Sequence, residues 1–72
     1  MQNAGDTISI TVNGEERQSG AATIAALLAE LEIADSAVVA EHNGAIVRRD
    51  AFAATALSDG DRVELVRFVG GG

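Results

Sequence analysis

Little in this chain could do chemistry by itself, and what could lies at one end, where the sequence finishes on Gly70, Gly71 and Gly72. A carboxylate on residues without side chains stands on a thin, flexible thread. No Cβ obstructs the approach of another backbone, of a nucleotide or of an attacking sulfur. A carboxylate so placed can enter a narrow active site. Composition alone leaves a second reading open. With glycine at roughly 7% per position, two terminal glycines arise by chance in about 0.5% of chains, and a frayed terminus excludes no glycine.

Other candidates for a site are poorer. His42 is the only histidine and there is no cysteine, so neither a metal cluster nor a thiol nucleophile is expected. His42 falls on the same strand face as Val38 and Ala40, which predicts a partly buried side chain with a hydrogen-bond partner. The carboxylate pairs Glu15-Glu16 and Asp59/Asp61 sit at turns, where acidic side chains bond the local backbone, and both read as structural. No glycine-rich loop precedes a helix, and Arg48-Arg49 is too small to be a nucleic-acid patch. No catalytic residue, metal or bound cofactor is expected.

The 72 residues have room for one domain, which at this size buries only about 60% of the surface of its unfolded chain. Hydrophobic residues at 47% and charged ones at 22% give the composition of a folded globule. The net charge of −6, from five arginines, no lysine and eleven acidic residues, is the wrong balance for a phosphate backbone. It suits a partner with a basic groove, or serves solubility alone. No apolar run is long enough to span a bilayer, and the succession typical of a signal peptide is missing at the N-terminus. A cytoplasmic location without membrane contact is the expectation.

The elements that must position the tail follow from periodicity. Residues 7–12 alternate, with Ile8, Ile10 and Val12 on one face, and Asn13-Gly14 then turns the chain into a more polar strand over 15–19. Ile24, Leu27, Leu28 and Leu31 fall at helical spacing, in a helix beginning near Ala22 or Thr23 with no capping box, and Asp35-Ser36 is the expected exit loop. A strand over 37–42, a second Asn-Gly turn at Asn43-Gly44 and a brief strand over 45–47 form another hairpin. Residues 48–57 predict a one-turn helix that drops Phe52 into the core, followed by a turn over 58–61 and a last strand over 63–69. The order predicts an α+β domain, one mixed sheet packed on one helix, with residues 7–69 folded and 70–72 a flexible tail. On the last strand Val63 and Leu65 should face the core, while Glu64, Val66 and Phe68 point outward. Val66 and Phe68, with Val69, thus form an expected docking patch beside the tail, although single exposed apolar residues are also ordinary.

These residues resemble a known family. The runs Ile8-Ser9-Ile10-Thr11-Val12-Asn13-Gly14-Glu15 and Thr23-Ile24-Ala25-Ala26-Leu27-Leu28-Ala29-Glu30-Leu31 are two of its marks. Asn43-Gly44-Ala45-Ile46-Val47-Arg48-Arg49, Leu57-Ser58-Asp59-Gly60-Asp61-Arg62-Val63-Glu64 and the final Gly71-Gly72 complete the likeness, which is to the ThiS sulfur carriers of the thiamine pathway. The chain departs from the usual pattern at Arg48, commonly proline, at His42, commonly aliphatic, and at Gly70, commonly another residue. The resemblance implies a ubiquitin-like β-grasp fold. It also implies that an E1-like adenylating enzyme uses ATP to activate the Gly72 carboxylate. Sulfur from a cysteine desulfurase or another donor would then replace the adenylate, and the thiocarboxylate would serve thiazole synthase. Gly72 would carry the chemistry, with Gly71 and Gly70 giving access to it, and the absence of lysine leaves no side-chain amine for self-conjugation. A molybdopterin-type carrier with the same fold and tail, or a ubiquitin-like modifier or adaptor module, are the alternatives.

Overall fold

In a computed structural model, residues 7–68 of the chain are described. Two Asn-Gly pairs set the frame. Asn13 and Gly14 have φ of 52° and 84°, and Asn43 and Gly44 have 51° and 90°, the left-handed values that a two-residue hairpin turn requires. The first turn joins β1 (Ile8–Val12) to β2 (Glu15–Ser19), with Ile8 opposite Ser19 and Val12 opposite Glu15. The second joins β3 (Val38–His42) to β4 (Ala45–Val47), with Ala40 opposite Val47. Between the hairpins lies β5 (Arg62–Arg67), parallel to β1 and antiparallel to β3, which gives the sheet order β2-β1-β5-β3-β4.

One helix, α1 (Ile24–Glu30), packs on the sheet. It starts where expected, because Thr23 caps it: Thr23 Oγ1 accepts from the Ala26 N–H at 3.1 Å. The two preceding donors are satisfied from elsewhere in the chain. The Ile24 N–H donates to the Thr55 carbonyl and the Ala25 N–H to the Phe52 carbonyl, both at 3.0 Å. The segment expected to form a one-turn helix is a 3-10 turn at Arg49–Ala51, and besides seating Phe52, 2% exposed, it closes the start of α1. Ile10, Ile24, Leu27, Leu28 and Val63 are the largest fully buried apolar side chains between helix and sheet, each at most 1% exposed.

The far end of α1 departs from the expectation. The helix stops at Glu30, and Leu31, its C-cap, is only half-buried against the core. The Glu32 N–H donates to Ala29 at 3.1 Å and the Ile33 N–H to Leu28 at 2.9 Å, the pair of bonds that ends a helix through a left-handed residue. Glycine is the usual occupant, yet here Glu32 takes φ 61°. A 3-10 turn, Asp35–Ala37, then absorbs Ala37, so β3 begins at Val38. The last strand begins one residue before its expected start and closes at Arg67. The Phe68 N–H nevertheless still donates to the Ala37 carbonyl at 2.9 Å.

Because a left-handed non-glycine residue costs at least about 1 kcal/mol and the glycine regains some unfolded-state freedom, Glu32→Gly should raise stability by roughly 0.5 kcal/mol. Urea unfolding with an unchanged slope is the check, and a loss of stability would show that the Glu32 side chain makes a contact outweighing its backbone strain.

Candidate functional site

The strand that leads to the terminal glycines is gripped from both sides. Against β3 it pairs along its length, from Val38 opposite Arg67 to His42 opposite Val63. Against β1 only two pairs form, Thr11 with Arg62 and Val12 with Val63. Where β1 then turns away, a side chain continues the ladder. Asn13 Nδ2 donates to the Leu65 carbonyl at 3.2 Å, and the Leu65 N–H donates to Asn13 Oδ1 at 2.7 Å. The second turn asparagine also reaches β5, with one bond from its side chain and one from its backbone: the Arg62 N–H donates to Asn43 Oδ1 at 2.8 Å, and the Asn43 backbone N–H to the Arg62 carbonyl at 2.7 Å. A primary amide presents the donor and acceptor of a peptide group, which lets each asparagine serve its turn and β5 together.

The loop that delivers the chain into β5 is tied down by carboxylates. Asp59 Oδ1 accepts the Ser9 N–H at 2.8 Å, and the Gly60 N–H donates to the Ser9 carbonyl at 2.7 Å. Asp61 Oδ2 accepts from His42 Nε2 at 2.6 Å and from the Ser58 N–H at 2.9 Å, while Asn43 Nδ2 donates to Asp61 Oδ1 at 3.2 Å. The hydrogen bond from His42 is the main reason the Asp61 carboxyl lies below the usual 3.8; burial opposes it, and the Ser58 and Asn43 donors add to the lowering. His42 is therefore the partly buried, hydrogen-bonded side chain expected, and Asp59 and Asp61 are structural. So is Glu16, which accepts from Ser9 Oγ at 2.6 Å. Arg48 pairs with Asp50 at 3.3 Å in full exposure, a contact of little weight.

Val66 and Phe68 stand outward as alternation requires, 62% and 56% exposed, while Val63 and Leu65 are buried. Val69, Gly70, Gly71 and Gly72 lie outside the described residues. Two further apolar side chains join the face. Val39, directly opposite Val66, is 37% exposed, and Ile46, opposite Glu41, is 70% exposed. Sequence reasoning passed over both. Val39 follows from the alternation that buries Val38 and Ala40, whereas Ile46 needs the register of the second hairpin. Among the described residues no group of three or more acidic or histidine side chains could hold a metal ion. No helix among them is long and apolar enough to cross a membrane.

The ThiS family model matches residues 4–72. The chain belongs to the ThiS family. A crystal structure of the thiamine biosynthesis protein ThiS from Geobacter metallireducens is 40% identical, covers 90% of this chain and all of its own, and superposes with a TM-score of 0.76. A solution structure of a thiamine biosynthesis protein from the same organism gives 39% identity, 90% and 88% coverage, and a TM-score of 0.75. The sheet order and single helix are thus those of the ubiquitin-like β-grasp found in solved ThiS proteins. Thiazole synthases from Paramagnetospirillum magneticum and Magnetococcus marinus are 42% and 38% identical over 66 residues, 90% of this chain. The chain spans only 20% of the length of those curated relatives.

In this ThiS-family domain the lowered carboxyl of Asp61 links stability to pH. A depressed folded-state value stabilises above the unfolded 3.8 and is lost as pH falls through the folded value. Removing the charged hydrogen-bond acceptor should cost about 2 kcal/mol at neutral pH. The stability gap between the wild type and Asp61→Asn, measured by urea titration, should therefore shrink steadily below pH 3.8. A gap independent of pH would remove the carboxylate from this role.

Proposed function

We propose that this ThiS-family chain is a sulfur carrier for the thiazole ring of thiamine, and that the sulfur rides on the carboxylate of Gly72. The observation that carries the reading is the family match, which runs through the terminal glycines, joined to a clamped β5 that delivers the chain past exposed Val66 and Phe68. A fixed strand ending in side-chain-free residues serves a partner that must draw a carboxylate into a narrow site. Docking energy gathered on the folded surface can then be spent on orienting the reacting end.

The chemistry belongs to partners. An E1-like adenylating enzyme joins the Gly72 carboxylate to the AMP portion of ATP, and pyrophosphate leaves. The outer sulfur of a persulfide, on a cysteine desulfurase or another donor, then attacks the acyl carbon and AMP departs; a second thiol attacks the donor-side sulfur of the resulting acyl disulfide, forms a new disulfide with it and releases the thiocarboxylate. The thiocarboxylate sulfur bonds to the substrate held by thiazole synthase, and hydrolysis of the thioester so formed leaves the sulfur on that substrate and returns Gly72 to a carboxylate. This chain supplies no catalytic side chain; it acts in the cytoplasm as a protein co-substrate and binds no cofactor of its own. The relatives named thiazole synthase support the acceptor, because each contains a segment similar to this chain.

Incubation with ATP, a sulfur donor and the adenylating enzyme should increase the intact mass by the difference between sulfur and oxygen, localised to Gly72 by fragmentation. Deleting Gly71 and Gly72 should abolish the gain, and a truncated chain that still supports thiazole formation would sink the reading. Transfer of the sulfur to a molybdopterin precursor instead would assign the chain to that pathway.

Phe68→Asp should raise the KM for adenylation about tenfold without lowering the melting temperature, since Phe68 stands on the outer face and hot-spot aromatics carry about this much binding. Loss of the folded state would show that Phe68 belongs to the core.

A further inference from the structure

The two edges of β5 are held over different lengths. On the β3 side the ladder runs from His42 opposite Val63 to Val38 opposite Arg67, and the Phe68 N–H adds a bond to the Ala37 carbonyl. On the β1 side the Asp61 carbonyl accepts from the Thr11 N–H and the Val63 carbonyl from the Asn13 N–H, both at 3.0 Å, before the Asn13 side chain takes the N–H and C=O of Leu65. Residues 61, 63 and 65 thus turn toward β1, since alternate residues of a strand present their peptide groups to opposite edges. Arg67 is the next in that series, but β1 gives way to its turn after Val12, opposite Val63. From Val66 onward β5 is bonded to β3 alone among the described residues.

That asymmetry makes the end of β5 the part of the strand most able to fray. Opening free energy is lowest at chain ends and wherever few bonds cross, and a residue held on one edge has only those bonds to lose. Leu65 is where the second edge takes hold, and its side chain is buried in the core as well. Asn13 is fitted to set that limit. Its φ of 52° commits its backbone to the hairpin, so its side chain alone can reach on along β5, and donor and acceptor close on one residue in a part-buried contact. Asn43 does the matching work at the other end of the strand, where its Oδ1 accepts from the Arg62 N–H at 2.8 Å and its Nδ2 donates to Asp61 Oδ1 at 3.2 Å. One asparagine thus fastens the entry of β5 and the other its exit.

We infer that Asn13 is a positioning residue for activation of the terminal carboxylate: acting through Leu65, its amide sets where β5 stops being held on both edges, and so how much chain the adenylating enzyme must order when it takes up the glycine end. The inference rests on the function proposed above and assigns to it a residue remote in sequence from the tail. Each backbone residue released in the free carrier has to be fixed again in the complex, and that loss of entropy weakens binding. Once the complex has formed, the reacting carboxylate is placed as in the wild type. Loss of the amide therefore acts on KM and leaves kcat untouched.

The test follows adenylation by ATP–pyrophosphate exchange, with the adenylating enzyme of the source organism and carrier concentration varied, at a temperature where each variant is folded. A contribution to stability alone then leaves KM unmoved. Asn13→Gly keeps the positive φ of the turn and removes the amide. It should raise KM about fivefold with kcat unchanged, the effect of roughly one more residue to be ordered on binding. In the free carrier, amide hydrogen exchange at Val66 and Phe68 should quicken about tenfold, although both lie on the β3 ladder and neither bonds to Asn13. Asn13→Asp keeps an acceptor for the Leu65 N–H and loses the donor to its carbonyl; it should move KM and exchange in the same direction, and it carries the test if the glycine variant does not fold. Asn43→Gly makes the matching change at the entry of β5 and should leave KM within about twofold and exchange at Val66 and Phe68 unaltered. The inference is overturned by an unchanged KM in the folded Asn13 variants, by an equal rise in Asn43→Gly, by a fall in kcat in place of the rise in KM, or by unaltered exchange at Val66 and Phe68. Adenylation of the wild type in any of those cases leaves the proposed function standing, whereas a wild type that is never adenylated overturns the function and the inference with it.

Discussion

β1 turns back at Asn13 while its neighbour β5 still has to run on past Leu65, so on that side the backbone ladder ends after two residue pairs. The Asn13 amide fills the gap, accepting from one peptide group of β5 and donating to the same residue. Without such a substitute, the N–H and C=O of Leu65 would face a partner that is no longer there, in a half-buried setting where an unmet polar group costs about 1–3 kcal/mol. Everything that concerns the chain's end depends on this arrangement. β5 is a central strand, its inward Val63 and Leu65 lock into the core, and its outward side chains are thereby held in one plane beside the exit at Phe68.

The same economy of chain recurs around the helix. With seven residues, α1 is too short to be stable alone, since isolated helices below about 12 residues are marginal in water. It persists because one face is buried and because its first free donors reach Thr23, Phe52 and Thr55. The stretch between β4 and β5 is therefore part of the helix's support, and Phe52 fastens it to the core. At the other edge, Glu30 of the helix accepts from Arg17 at 3.1 Å and from Ser19 at 2.9 Å, fixing α1 over β2.

Much of this was readable from the order of residues, for identifiable reasons. Ile8, Ile10 and Val12 announce a strand because the pleat repeats every two residues, and the two Asn-Gly pairs announce hairpins because few other dipeptides tolerate positive φ twice in succession. The outward stance of Val66 and Phe68 came from the same alternation. What escaped notice depends on contacts between distant residues. The second employment of Asn13 and Asn43, and the meeting of Glu41 with Glu64, arise only once β5 is inserted between the hairpins. The end of α1 was hidden for a local reason, since Glu32 occupies a conformation that glycine usually advertises. The last residues, 69–72, carried the functional expectation from composition and resemblance.

The placement of β5 also has a mechanical meaning. A strand paired along its length with an antiparallel neighbour, and with a parallel one over its first two residues, meets a tug along its axis by loading those cross-strand bonds in shear instead of peeling them one after another. On the function proposed above, a partner that draws the glycine end into a channel would exert such a tug. Tension applied beyond Phe68 would thus fall on the middle of the sheet and not on an edge.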